Sequence, residues 1–125
     1  MPTRKFATMT AAATIPALGI DLVGTKIESV LLDADGSTLM RQRRPTPAGD
    51  YTATLVALAD VVRAARSAAG GDVTIGIGTP GSAGPDDLMK NCNSTWLNGQ
   101  PLQADLQARV GQPVVLANDA NCLAL

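Results

Sequence analysis

The chain has 125 residues, long enough for one domain with its own core, and 46% hydrophobic against 17% charged residues is the balance of a soluble globular protein. A formal net charge of −1 without a block of Lys and Arg argues against a nucleic-acid surface, which needs clustered cations. Two cysteines, Cys92 and Cys122, with no histidine make neither a disulfide framework nor a metal-ligand set, so reduced thiols in a cytoplasmic protein are expected.

Residues 1 to 14 are small, polar and slightly basic, and lack the apolar run of a signal peptide, so a disordered leader is expected there. No segment approaches the roughly 20 apolar residues of a membrane span, and no membrane partner is expected. Residues 15 to 22 and 26 to 32 carry the aliphatic, β-branched density of buried strands. Val23-Gly24-Thr25 between them predicts a tight turn and hence a β-hairpin. Gly24 permits a positive φ at the bend and lets its N–H approach a bulky anion. Asp21, Thr25 and Lys26 put a carboxylate, a hydroxyl and an ammonium around the same point, a plausible loop for a magnesium-bound nucleotide phosphate. Taken alone, such residues are more often a plain turn with solvated charges. After a turn at Asp33-Ala34-Asp35-Gly36, residues 37 to 44 predict a third antiparallel strand that ends before Pro45 and Pro47. Arg41, Arg43 and Arg44 on it suit a solvated sheet edge.

Asp50 reads as an N-cap, followed by Leu55, Leu58, Ala59, Val62 and Ala65 on one helical face, with Gly70-Gly71 as the stop. Residues 72 to 78 alternate Val73, Ile75 and Ile77 with small residues, which suits an interior strand. It runs into Thr79-Pro80-Gly81-Ser82 at the carboxyl edge of the sheet, where open α/β folds build ligand sites. Residues 83 to 101 show little periodicity. They crowd Asn91, Asn93, Ser94, Thr95 and Asn98 around Trp96, either to offer a polyhydroxylated ligand directional hydrogen bonds beside an indole face or as a surface loop pinned by one buried Trp. Leu102, Leu106 and Val110 mark a short helix, residues 113 to 117 a last strand, and Asn118-Asp119-Ala120-Asn121 the start of a further helix. The order predicts an α/β fold with a mixed sheet, three antiparallel strands first and flanking helices after. Asp119 at a strand-to-helix junction can hold a substrate hydroxyl and take its proton as a phosphoryl group arrives, or Asn118 or Asp119 can simply cap the helix.

Three segments then resemble one family. Gly19-Ile20-Asp21-Leu22-Val23-Gly24-Thr25-Lys26 is similar to the first phosphate motif of the ROK family of sugar kinases and repressors, D-x-G-G-T-K. Ile77-Gly78-Thr79-Pro80-Gly81 resembles its G-I-P-G turn, and Leu116-Ala117-Asn118-Asp119-Ala120-Asn121-Cys122 its L-x-N-D-A-N segment. Residues 90 to 125, including Asn93-Ser94-Thr95-Trp96-Leu97-Asn98-Gly99-Gln100-Pro101, look most like the bacterial fructokinase and mannokinase branch. The resemblance implies the amino-terminal lobe of an actin-like ATPase (ribonuclease H-like) fold over residues 15 to 125. By it, Asp119 is the catalytic base, Asn118 binds the sugar, and Gly81 and Asn93 line the sugar pocket. Asp21, Gly24, Thr25 and Lys26 stand at the nucleotide phosphates, with ATP and Mg2+ as cofactors and a hexose, fructose or mannose, phosphorylated at its 6-hydroxyl. N-acetylglucosamine kinase and glucokinase of the same family are the alternatives.

Two departures from the family pattern carry expectations. Val23 stands where the first glycine of the motif belongs, and a β-branched residue there disfavours positive φ and crowds a nucleotide. The second phosphate motif, a structural zinc segment and the remaining sugar ligands belong to a carboxyl-terminal lobe beyond these residues. The 125 residues alone are therefore expected to be catalytically inactive, with a truncated sugar-binding or interaction module as a different class of reading. An exposed apolar face would favour a homo-oligomer such as a dimer.

Overall fold

The computed structural model of the chain describes residues 15–90, 92 and 95–118, and for Ser82 and Asn118 the backbone alone. The expected leader, Asn93, Asp119 and the helix after Asn118 lie outside the described residues. The aliphatic runs on either side of Val23-Gly24-Thr25 form strands β1 (Ala17–Leu22) and β2 (Lys26–Leu32), paired antiparallel from Ala17↔Leu32 to Leu22↔Ile27. Strand β3 (Thr38–Pro45) returns antiparallel to β2 with one irregularity at Leu31/Leu32. Pro45 is tolerated as its last residue because β3 is an edge strand and the missing N–H breaks no ladder there.

Asp50 caps helix α1 (Tyr51–Ala69) as expected. Its carboxylate accepts from the Ala53 N–H at 3.0 Å, and Gly70, at φ 74°, ends the helix in the left-handed region. Strand β4 (Thr74–Thr79) then enters the sheet parallel to β1. The unperiodic stretch that follows holds more order than its sequence suggests: a two-residue pairing of β5 (Ser82–Ala83) with β6 (Met89–Lys90), then a 3-10 turn at Thr95–Leu97. Leu102, Leu106 and Val110 are buried from helix α2 (Leu102–Val110), and strand β7 (Val115–Asn118) closes the sheet parallel to β4. The main sheet has the order β3-β2-β1-β4-β7, mixed in direction as the sequence predicts.

Alternation decides which face of this sheet is dry. Leu18, Ile20 and Leu22 of β1, Ile27 and Leu31 of β2, and Ile75 and Ile77 of β4 form one core with Leu55, Leu58, Val61, Val62 and Ala65 of α1 and the three apolar residues of α2. Each of the larger side chains contributes about 1.5–3 kcal/mol of burial free energy. The helices therefore cover that face. On the other face, Asp21 lies between Gly78 of β4 and Glu28 of β2, its register partners on either side.

Candidate functional site

The hairpin tip is built by ladder geometry rather than by an unusual backbone. The Val23 N–H donates to the Lys26 carbonyl at 3.1 Å, extending the β1–β2 ladder one step past Leu22 and leaving Gly24 and Thr25 as the exposed bend. The described glycines with positive φ are Gly36, Gly49, Gly70, Gly99 and Gly111, and Asp87 is the one such non-glycine residue described. The left-handed bend expected at Gly24 is thus not used, and Val23 does not take the positive φ that a β-branched residue disfavours. The strain expected from Val23 falls away.

Asp21 is exposed at the carboxyl end of β1, one residue before the buried Leu22. Lys26, expected at the phosphates, is held by a neighbour: its Nζ lies 2.9 Å from Glu28 Oε1, and Arg43 approaches the same oxygen at 3.5 Å. The hydrogen bond from Lys26, with the positive charges of Lys26, Arg43 and Arg41 behind it, holds the Glu28 carboxyl below its ordinary value; the slight burial of the group acts the other way. Asp21 and Glu28 stand directly opposite each other, so the tip carries two carboxylates on one face with the Lys26 ammonium beside them. The tip is also fastened from a third segment. Thr46, buried just after β3, donates its backbone N–H to the Thr25 carbonyl at 3.2 Å and its hydroxyl to the Val23 carbonyl at 2.9 Å. No spacing in the sequence announced Glu28 or Thr46; only strand register and the path of the chain after Pro45 bring them here.

At the end of β4, Gly81 is buried and has no room for a side chain. A Cβ there would run into the Lys90 carbonyl oxygen and come within 2.6 Å of Cys92 Sγ. The close approach for which this position needs glycine is made by the protein's own segment around Cys92. That segment is itself clamped: Asn98 Oδ1 accepts from the Cys92 N–H at 2.9 Å, and Asn98 Nδ2 donates to the Cys92 carbonyl at 3.2 Å. Burial pushes the Cys92 thiol up, leaving it a protonated packing group. The Trp96 N–H is engaged within the protein, donating to Thr54 Oγ1 of α1 at 3.1 Å, and the ring is half-buried against the core.

The register of the parallel strands brings the three segments together. Asp21 of β1 pairs with Gly78 of β4, Gly78 with Ala117 of β7, and Thr79 with Asn118. Three stretches far apart in the sequence therefore finish side by side at one sheet edge, the place where α/β sheets bind ligands. Of the expected sugar-side residues, Gly81 and the backbone of Asn118 reach this edge, whereas Asn93 and Asp119 lie outside the described residues. Among the described residues no group of three or more His, Cys, Asp or Glu could hold a metal ion, and no helix is long and apolar enough to cross a membrane.

The sequence profile of the ROK family matches residues 17–125. The chain belongs to the ROK family. An N-acetyl-D-glucosamine kinase of Yersinia enterocolitica is 41% identical over 108 residues, which are 86% of this chain and 36% of that protein. The N-acetyl-D-glucosamine kinase of Pectobacterium atrosepticum is 37% identical over the same length. Among solved structures, the ROK family glucokinase of Streptomyces griseus in complex with glucose and AMPPNP superposes with a TM-score of 0.68 at 31% identity, covering 87% of this chain and 35% of that one. The ROK hexokinase of Thermus thermophilus gives 0.67 at 28% identity, covering 86% and 36%. The actin-like ATPase fold implied by the motifs is accordingly the fold of this ROK chain. The chain spans 36% of the length of the Yersinia enterocolitica relative. None of these four proteins is named for fructose, and the fructokinase branch expected from residues 90 to 125 gains no support from them.

Proposed function

We propose that the protein carrying this ROK chain is an ATP-dependent hexose kinase whose acceptor and donor meet along the carboxyl edge of β1, β4 and β7. The observation that carries the reading is the register that sets Asp21, Gly78 and Ala117 on three adjacent strands, with Thr79 opposite Asn118. The AMPPNP and glucose complex of the Streptomyces griseus relative supports ATP as donor and a hexose as acceptor. The hairpin fits a magnesium-bound phosphate: Mg2+ is commonly held through one or two carboxylates together with the phosphates, and Asp21 supplies one near the exposed bend of Gly24 and Thr25, while Glu28 is occupied by Lys26 and Arg43. When bound, the ion would neutralise charge on the phosphates. The chain's own contribution is to hold them at the hairpin, with Lys26 as the nearby cation. Asp119, directly after Asn118, would take the proton from the attacking sugar hydroxyl, and Asn118, Gly81 and Asn93 would place the sugar.

For the acceptor, the relatives near 40% identity favour N-acetyl-D-glucosamine. Fructose or mannose is the second reading, favoured by the likeness of residues 90 to 125 to the fructokinase and mannokinase branch. A coupled assay of the full-length gene product with ATP, magnesium and a panel of N-acetyl-D-glucosamine, glucose, mannose and fructose tests both. The largest kcat/KM is expected for N-acetyl-D-glucosamine. A fructose optimum would favour the second reading, and no sugar-dependent ADP release would leave only a non-catalytic sugar-binding module.

A further inference from the structure

Thr79 ends β4 with its side chain only 1% exposed, and its hydroxyl lies 2.7 Å from the Gly81 carbonyl oxygen and 3.3 Å from that of Ala117. A hydroxyl has one proton to give, so the shorter contact takes it and the Ala117 oxygen shares it weakly. The two acceptors belong to different segments. Gly81 lies in the turn that leads into β5, and Ala117 precedes Asn118 on β7, the residue that pairs with Thr79 in register. The hydroxyl is thus buried at the junction of β4, the Gly81 turn and β7. Burying a hydroxyl beside the apolar core is favourable only where its hydrogen bonds are made, and here they run between two strand ends.

We propose that Thr79 is a positioning residue for the acceptor sugar: its hydroxyl fixes the Gly81 turn against the end of β7 and so sets the spacing of the sugar-side rim. The inference rests on the kinase reading above, in which Gly81 and Asn118 face the sugar. A polyhydroxylated acceptor is held by directional hydrogen bonds, and misplacing such groups by about 1 Å costs on the order of 100-fold in rate. The hairpin at Val23–Lys26 receives no hydrogen bond from Thr79 among the described residues, so the nucleotide side is left as it was.

The test measures kcat and KM for sugar and for ATP, with thermal midpoints, in the full-length gene product and its Thr79→Val and Thr79→Ser variants. Thr79→Val keeps the shape and removes the hydroxyl. It is expected to lower kcat/KM for the sugar by about tenfold or more while the KM for ATP stays within about twofold, and Thr79→Ser is expected to recover most of the loss. If Thr79→Val does not fold, Thr79→Ala, which is smaller and clashes with nothing, carries the same expectation. A lower thermal midpoint with unchanged sugar kinetics would make the hydroxyl a structural tie only and overturn the proposal. So would equal losses toward ATP and sugar, or a serine variant no better than valine. A wild-type protein without sugar-dependent turnover overturns the kinase reading and this inference together, whereas normal wild-type turnover with an unaltered Thr79→Val overturns this inference alone.

Discussion

The hydroxyl of Thr46 donates to the carbonyl of Val23 across 2.9 Å, tying the segment after β3 to the hairpin tip on which the phosphate reading depends. The Thr46 backbone N–H adds a second bond, to Thr25, so both residues flanking Gly24 have their carbonyls engaged by one buried threonine. A tip held in this way meets a ligand already shaped, without an ordering cost on binding.

Thr46→Val removes the side-chain bond and leaves the Val23 carbonyl without it. The expected loss is about 1–3 kcal/mol of stability, with faster hydrogen exchange at the amides of residues 23 to 26. ATP affinity should fall while sugar affinity holds. Calorimetric titration of the full-length gene product with each ligand checks this, and equal weakening for both would count against a role specific to the hairpin.

Val23→Gly distinguishes backbone strain from ladder continuity. Val23 has no positive φ and donates to Lys26, so glycine there relieves nothing and adds chain entropy to the unfolded state. A stability loss of about 0.5–1 kcal/mol with unimproved ATP affinity is expected. Tighter nucleotide binding by this variant would restore the idea that valine obstructs the turn.

Glu28→Gln should release Lys26 from the 2.9 Å ion pair and take one negative charge away from the face that carries Asp21. The expected outcome is a lower KM for ATP at fixed magnesium. The Glu28 carboxyl is held below its ordinary value, so the pair is complete above the unfolded-state value and is lost only as pH falls through the lower folded one. The effect of the substitution should therefore be the same from about pH 6 to 8 and shrink only on the acid side of the carboxylate range. A raised KM would instead assign Glu28 to the bound cation.

Gly81→Ala places a methyl group against the Lys90 carbonyl and Cys92, neither of which is the free end of a flexible chain. Overpacking of this kind costs about 1–3 kcal/mol and should push the segment around Cys92 away from the sheet edge. Thermal unfolding and sugar titration together check it. Unchanged stability would mean that the segment yields freely and that glycine is needed there for another reason.

Asp119→Asn in the full-length gene product removes the proposed base with little change in size. A loss of about 100- to 10,000-fold in kcat, with sugar affinity largely kept, is expected from steady-state kinetics and a binding titration. Near-normal turnover would move the base elsewhere.

Much of this fold was determined by the sequence alone, because its signals are local. Aliphatic runs on either side of Val23-Gly24-Thr25 can make only a hairpin, and β2 has the very bounds read from composition, Lys26–Leu32. Asp50 and Gly70 bracket α1 through caps that one turn of backbone satisfies. The three family segments were likewise visible as short strings. The tertiary structure alone decided what those strings touch, since side-chain neighbours across a sheet are set by register and by chain path, not by spacing. Glu28 reaches Asp21 because the β1–β2 ladder puts them opposite each other, and Thr46 reaches Val23 because the β2–β3 register, which sets Pro45 opposite Lys26, carries the next residue alongside Thr25. Gly81 proved to be a glycine for its own neighbour, Cys92, and Thr79 a bridge to β7, because packing density at the end of β4 leaves no room for a Cβ and two carbonyls within reach of one hydroxyl.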